Sequence, residues 1–153
     1  MEAYKPFVKA CPVWAAGLDK QMNITLGLYY KNADFAGNAI LRVATSGFYR
    51  VFMNGSFVFY GPARCAHGFY RVDEVPLTLC PGDSVAIEAV NYYMKSFDQL
   101  KQPGFIQAEL AAGSEVLCAT GTEQFAAYLL TERVRKLERY SHLQYAACDP
   151  GAA

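Results

Sequence analysis

Short runs rich in valine, isoleucine, phenylalanine and tyrosine recur along the chain, and glycine, proline, asparagine and aspartate separate them. This pattern is typical of β-strands joined by turns. In Val85–Ala89 and Ile106–Leu110 apolar and polar residues alternate, as expected of strands with one face in a core and one in water. The predicted strands are Asn23–Tyr30, Asn38–Thr45, Tyr49–Met53, Ser56–Tyr60, Phe69–Val75, Ser84–Asn91, Phe105–Ala111 and Glu115–Ala119.

One turn between these strands has a specific signature. Asn54 and Gly55 separate two β-rich runs. Asparagine and glycine tolerate the positive φ that both central positions of a type I′ turn require. We therefore expect a tight hairpin here.

The connections between the predicted strands are too short for the helical crossovers that join parallel strands. The pattern therefore predicts an all-β fold, an antiparallel β-sandwich or jelly roll. We expect a single domain over residues 1–141, and residues 142–153 as a tail or an artificial chain boundary.

The stretch before that boundary is consistent with two structures. Leu130, Val134 and Leu137 have helical spacing, which would add one short C-terminal helix. Val134 and Lys136 also fit the alternation of an extended segment. The sequence leaves both alternatives open for residues 124–141.

Composition and charge exclude several classes of function. The chain has 153 residues, of which 53% are hydrophobic, and its 14 basic side chains equal its 14 acidic ones. Without a basic excess, nucleic acid is not an expected partner. We see no signal peptide and no apolar run of the roughly 20 residues that a membrane-spanning helix needs. We therefore expect a cytoplasmic protein with no membrane partner.

The five cysteines are odd in number, widely spaced and without a CxxC pair. They suggest neither a disulfide framework nor a zinc site. We expect free thiols in a reducing compartment, each acting as a small buried hydrophobic residue. No sequence motif calls for a metal or a cofactor.

Catalytic motifs are absent from the sequence, which has no GxSxG, HExxH, Walker A or GxGxxG. Cys65 and His67 form a conceivable nucleophile and base, but their closeness in sequence does not bring them together in space. Asp73 and Glu74 would point to opposite faces of a strand. Glu88 and Glu109 would lie on a polar sheet face, where we expect them to be solvated. No catalytic pair of carboxylates is visible.

The loop Gly61–Asp73 and the segment Asn91–Tyr93 have the composition of a binding site. Their planar donors and aromatic faces suit sugar hydroxyls and sugar C–H faces. A structural alternative is that Arg64 or Arg71 pairs with Asp73, while the tyrosines seal an edge of the sandwich. The candidate carbohydrate-binding residues are Arg64, His67, Asn91, Tyr92 and Tyr93.

Several motifs together resemble a known family. They are the Asn-Gly hairpin at Tyr49–Val58, GPAR at Gly61–Arg64, HGFYRVDE at His67–Glu74, a strand after Pro-Gly at Pro81–Tyr93, QPGFIQAE at Gln102–Glu109 and the segment Arg133–Ser141. Over Trp14–Ser141 the chain resembles the N-terminal β-sandwich region of bacterial α-L-rhamnosidase-like glycoside hydrolases. It departs from that family at Leu143–Cys148.

The resemblance implies a galactose-binding-like jelly roll that precedes a helical toroid holding the catalytic acids. None of the family's catalytic positions lies in these residues. The chain is therefore expected to be a non-catalytic accessory module whose partner is a glycoside hydrolase catalytic domain, and which contacts rhamnose-containing or other carbohydrate. Two alternatives are a free-standing lectin-like protein and a module that self-associates through unpaired strand edges.

Overall fold

The computed structural model describes residues 4–95 and 99–132, and within them it has nine strands. The strands are β1 (Ile24–Lys31), β2 (Gly37–Thr45), β3 (Phe48–Met53), β4 (Ser56–Gly61), β5 (Asp73–Leu79), β6 (Ser84–Asn91), β7 (Ile106–Ala112), β8 (Glu115–Ala119) and β9 (Ala126–Leu129). The described residues contain no helix, and thus none that is long and apolar enough to cross a membrane.

The strands form two antiparallel sheets. The five-stranded sheet has the order β4-β3-β6-β1-β9, and the four-stranded sheet has the order β5-β2-β7-β8. Their inner faces share one core of buried side chains. Its central members include Leu41, Val43, Tyr49, Val51, Ile87, Ile106 and Leu110. The prediction of an all-β antiparallel sandwich is confirmed.

The predicted strand at Phe69–Val75 is wrong in its bounds. The strand begins at Asp73 and continues through Pro76 to Leu79. Proline lacks a donor for a sheet ladder, but β5 is an edge strand, where that donor is not needed. Phe69 and Tyr70 are exposed and belong to a loop.

For residues 124–141 the structure decides between a helix and an extended segment only over the part that it describes. Residues 126–129 form β9, which pairs with β1 at the edge of its sheet, so this part is extended. No local pattern indicated this strand, because its four residues are all exposed and do not alternate. The proposed helix beyond Glu132 and the boundary at residue 141 lie outside the described residues.

The predicted hairpin is confirmed by its backbone. Asn54 has φ 51° and Gly55 has φ 78°, so both central residues are in the left-handed region. Asn54 also accepts a hydrogen bond from the backbone N–H of Ser84 and donates to Asp83, which ties the turn to the start of β6.

We expect Gly55→Ala to lower the free energy of unfolding by about 1 kcal/mol, because a Cβ disfavours positive φ. No atom lies within 4 Å of that Cβ, so steric collision contributes nothing. Urea denaturation monitored by fluorescence measures the change. Ser56→Ala, at the neighbouring exposed position, is the control and should change stability by less than about 0.5 kcal/mol. An equal effect of both substitutions would contradict the backbone explanation.

The expectation that Glu88 and Glu109 are solvated on one sheet face is wrong. Both are buried, and they lie in different sheets, on β6 and β7. Each points away from the core as the alternation predicted, but other residues cover it. Glu88 accepts a hydrogen bond from Arg50 at 2.5 Å. Glu109 accepts hydrogen bonds from the backbone of Val8–Ala10, a segment that crosses the outer face of the four-stranded sheet.

The expectation for the cysteines holds for one residue. Cys118 is buried in the core, whereas Cys11, Cys65 and Cys80 are exposed. The exposed three lie outside the strands, where no alternating pattern directs a side chain inward. These four are free thiols, and Cys148 lies outside the described residues.

Candidate functional site

A groove of about 680 Å³ opens at one end of the sandwich, beside the loop that joins β4 to β5. One wall is this loop, from Pro62 to Arg71. The floor is the turn between β2 and β3, at Thr45–Phe48, and the far wall includes Gln99 and Gln102. The chain thus brings three separate segments to one concave surface.

A buried carboxylate fixes the end of the loop. Asp73 accepts a hydrogen bond from the Tyr49 hydroxyl at 2.6 Å and another from Arg71 Nε at 2.8 Å. Burial, together with the bond to Asp73, raises the pKa of Tyr49 well above its usual range. A Cβ at Gly61 would lie only 2.6 Å from the Asp73 carboxylate, so the loop begins at a residue without a side chain. The predicted structural pairing with Asp73 is confirmed for Arg71.

Aromatic side chains line the groove and are held by further contacts. Tyr70 packs edge-on against Phe105, with 4.8 Å between ring centroids, and its hydroxyl donates to Gln102 Oε1. Phe48 and Tyr60 stack with only 9° between their planes. Phe69 is 73% exposed. Contacts with other side chains therefore set the orientations of Tyr70, Phe48 and Tyr60 before any ligand arrives.

The far wall supplies amide groups. Gln102 Nε2 donates to the carbonyl of Ser46, so its side chain bridges to the floor. Gln99 Nε2 is buried and has no hydrogen-bond partner among the described residues.

The structure divides the five sequence candidates into two groups. Arg64 and His67 line the groove and are exposed. Asn91 and Tyr92 are buried behind it, where Asn91 donates to the Gln102 carbonyl and the Tyr92 ring packs against Phe48. Tyr93 lies outside the groove lining, and the ammonium of Lys101 is 4.9 Å from its ring. Three of the five candidates therefore do not line the groove.

The sequence reasoning missed the residues that come from other segments. Ser46, Phe48, Gln99 and Gln102 line the groove but lie far along the chain from Arg64. The only signal near them is Gln102, which opens the QPGFIQAE motif. Their nearness to the loop depends on the sheet pairing, which no local pattern contains.

The lining offers no catalytic arrangement among the described residues. The Cys65 Sγ donates to the carbonyl of Phe69 at 3.0 Å, and no contact joins it to His67. Neither aspartate nor glutamate occurs among the described lining residues. The described residues also hold no cluster of three side chains suited to a metal ion.

No family model matches the sequence, and no curated protein matches it. Among solved structures, a GH78 family rhamnosidase of Bacillus sp. GL1 aligns with 82% of this chain at a TM-score of 0.71 and 22% identity. The two share a fold. The aligned part is only 14% of the rhamnosidase chain, so the sandwich matches one small portion of that enzyme. The predicted resemblance to a rhamnosidase β-sandwich is thus confirmed at the level of fold.

Two further structures are more distantly similar than the rhamnosidase portion. The PA14 sugar-binding domain of an RTX adhesin has a TM-score of 0.41 and 18% identity, over 71% of this chain and 52% of its own. The PA14 domain of the MpAFP antifreeze protein has a TM-score of 0.42 and 14% identity, over 65% of this chain and 51% of its own. Scores this low support no argument about function.

Proposed function

We propose that this chain is a non-catalytic β-sandwich module of an α-L-rhamnosidase-like glycoside hydrolase, which supports a catalytic domain and contacts carbohydrate in the groove. The observation that supports it most is the fold shared with 14% of a rhamnosidase. In this proposal the rest of such an enzyme supplies the chemistry.

The disposition of the acids supports the non-catalytic part of the proposal. Glycoside hydrolysis generally needs two carboxyl groups that face each other across the scissile bond. Glu88 and Glu109 lie in different sheets, and each is occupied by a partner of its own. Asp73 is buried behind the loop and holds Tyr49 and Arg71. None of these three faces a second carboxylate across the groove.

The groove has the chemistry that sugar recognition uses. Pyranose rings present apolar C–H faces that pack on aromatic rings, and hydroxyls that bond to planar donors and acceptors. Phe69 and Tyr70 provide the rings, and Arg64, His67 and Gln99 provide polar groups. This combination supports the carbohydrate contact in the proposal.

The surface near the groove suits contact with another domain. Exposed apolar and aromatic side chains follow one another along β4 and into the adjoining loop. They are Phe57 (60% exposed), Val58 (38%), Tyr60 (42%), Phe69 (73%) and Tyr70 (55%). Exposed apolar side chains along an edge strand are typical of interaction sites, and in this proposal the catalytic domain covers those of β4, while Phe69 and Tyr70 remain open to the groove.

Activity and binding assays test the two parts separately. The purified chain should release no product from an aryl α-L-rhamnoside, and measurable cleavage would refute the non-catalytic assignment. In a thermal-shift screen with L-rhamnose, galactose and rhamnosides, a bound sugar at about 100 times its Kd should add about 2.7 kcal/mol of stability.

Substitutions connect that binding to the groove. We expect Arg64→Ala and His67→Ala to weaken sugar binding while the melting temperature without sugar stays nearly unchanged, because both side chains are exposed. Lys20→Ala, an exposed basic residue outside the groove lining, is the matched control. If Arg64→Ala mainly lowers the melting temperature, its role is structural and the groove assignment fails.

A further inference from the structure

Tyr70 joins the loop between β4 and β5 to the far wall of the groove. Its hydroxyl donates to Gln102 Oε1 at 2.9 Å, and both residues line the groove. Its ring packs edge-on against Phe105, with 4.8 Å between the ring centroids. An edge-to-face pair of this kind adds to the attraction of the hydrogen bond. Two contacts of Tyr70 therefore connect the loop to the opposite side of the groove.

The acceptor of this hydrogen bond is itself held in place. Gln102 Nε2 donates to the Ser46 carbonyl at 3.0 Å, and its backbone carbonyl accepts from the buried Asn91 at 3.1 Å. Ser46 in turn exchanges hydrogen bonds with the backbone of Phe105, at 3.0 and 3.1 Å. The sandwich thus fixes the point to which the Tyr70 hydroxyl attaches.

The loop itself is exposed from residue 63 to residue 71. Its tip is stabilised internally, because the Phe69 N–H donates to the Ala66 carbonyl and Cys65 Sγ donates to the Phe69 carbonyl. These two bonds shape the tip but do not attach it to either sheet. The position of the tip therefore depends on contacts that reach across the groove, and those of Tyr70 are among them.

We propose that Tyr70 and Gln102 form a latch that holds the loop in the shape that binds sugar. This inference rests on the proposed carbohydrate contact and names the residues that position the groove for it. In the latched state the loop forms one wall and Phe69 lines the groove. Opening the latch displaces that wall, so only the latched fraction of molecules binds. The apparent affinity falls in proportion to that fraction.

Tyr70→Phe tests the latch without any ligand, because it removes the hydroxyl and keeps the ring that packs on Phe105. Nitrogen-15 relaxation of the full chain gives backbone order parameters, and relaxation dispersion detects slower opening. We expect lower order parameters and larger dispersion for residues 63–71. Tyr128→Phe, at a half-exposed position of β9 outside the groove lining, is the matched control and should change neither. An unchanged loop in Tyr70→Phe would overturn the latch.

A second substitution tests whether the two residues act together. Gln102→Met keeps the length of the side chain but removes the acceptor, so it should loosen the loop as well. In the double variant Tyr70→Phe should add no further motion, because its partner is already gone. Additive effects would show that the two residues act independently, and would overturn the latch.

Titration calorimetry with L-rhamnose and galactose connects the latch to binding. We expect Tyr70→Phe to weaken binding about threefold to fivefold, since a partly exposed neutral hydrogen bond contributes in the lower half of the usual range. Weaker binding with an unchanged loop would show that the hydroxyl contacts the sugar directly, and would overturn the latch. A looser loop with unchanged affinity would overturn its role in binding.

The outcomes separate this inference from the proposed function. If the original chain binds neither sugar, the carbohydrate contact is refuted and the role of the latch in binding fails with it. The relaxation measurements need no sugar, so they still decide whether Tyr70 and Gln102 hold the loop.

Discussion

Glu109→Ala is expected to lower the free energy of unfolding by about 3–5 kcal/mol, the largest effect of any substitution proposed here. Glu109 is fully buried, and its carboxylate accepts backbone N–H groups from Val8, Lys9 and Ala10 at 2.6–3.0 Å. Without the carboxylate, all three donors lose their acceptor, and the N–H of the buried Ala10 either stays unsatisfied or leaves the sheet with its segment. Urea denaturation gives the stability, and amide hydrogen exchange at residues 8–10 reports on the segment.

The same carboxylate makes stability depend on pH. Burial raises the pKa of Glu109, but the hydrogen bonds from Lys9, Val8 and Ala10 lower it by more, so the folded pKa lies below its usual range. A lowered folded pKa means that the unfolded state binds the proton more tightly. The stabilisation is therefore present above about pH 4.3, the ordinary glutamate pKa, and is lost as pH falls through the folded pKa.

Glu109→Gln isolates that pH dependence. The variant should be less stable than the original chain at neutral pH and should lose less stability on acidification, since the titrating group is gone. Glu115→Gln, at an exposed position of β8, is the control and should follow the original chain. A parallel acid profile for Glu109→Gln and the original chain would contradict the assignment.

Asp73→Ala is expected to cost about 2–3 kcal/mol. The substitution leaves the hydroxyl of Tyr49 buried without an acceptor, and it removes a hydrogen bond to a charged group. Both changes raise the free energy of the folded state in a core. The bond to Arg71 adds little, because the Arg71 side chain is half exposed. Equilibrium denaturation measures the loss, and heteronuclear NMR should show the largest shift changes in the loop from Pro62 to Arg71.

The neighbouring acid is a matched control. Glu74 pairs with Arg42 at 2.8 Å, but this pair lies at the surface, with side chains 47% and 24% exposed. Glu74→Ala should therefore change stability by less than about 1 kcal/mol. If the two substitutions cost the same, the burial of Asp73 does not explain its contribution.

Local patterns predicted most strands correctly. They failed at strands on the edge of a sheet, where the usual sequence preferences of strands do not hold. The alternation in Val85–Ala89 and the Asn54-Gly55 turn were sufficient, because each depends only on neighbouring residues. The predicted strand ended at Val75, before Pro76, yet the edge strand β5 continues through that proline to Leu79. Whether a strand lies at an edge is a property of the whole sheet, and so it was not visible in the segment.

The candidate groove was predictable only in part. The loop from Gly61 to Asp73 was identified by its composition, and Arg64 and His67 line the groove. Asn91 and Tyr92 have the right chemistry, but both are buried behind the wall: Asn91 is paired with Ile24 of β1, and the ring of Tyr92 packs against Phe48. Side-chain type indicates what a residue can bind, whereas exposure depends on what packs over it.

The sequence by itself determined the hairpin, the sandwich class and the strands apart from β9 and the bounds of β5, because the side-chain period of a strand directly records its two faces. Only the tertiary structure decided what covers the outward face. The alternation of its strand predicts that Glu109 is solvated, yet the backbone of Val8, 101 positions earlier, lies over it. Contacts between such distant residues follow from the packing of the whole chain, and that packing also brings Gln102 and Ser46 to the groove.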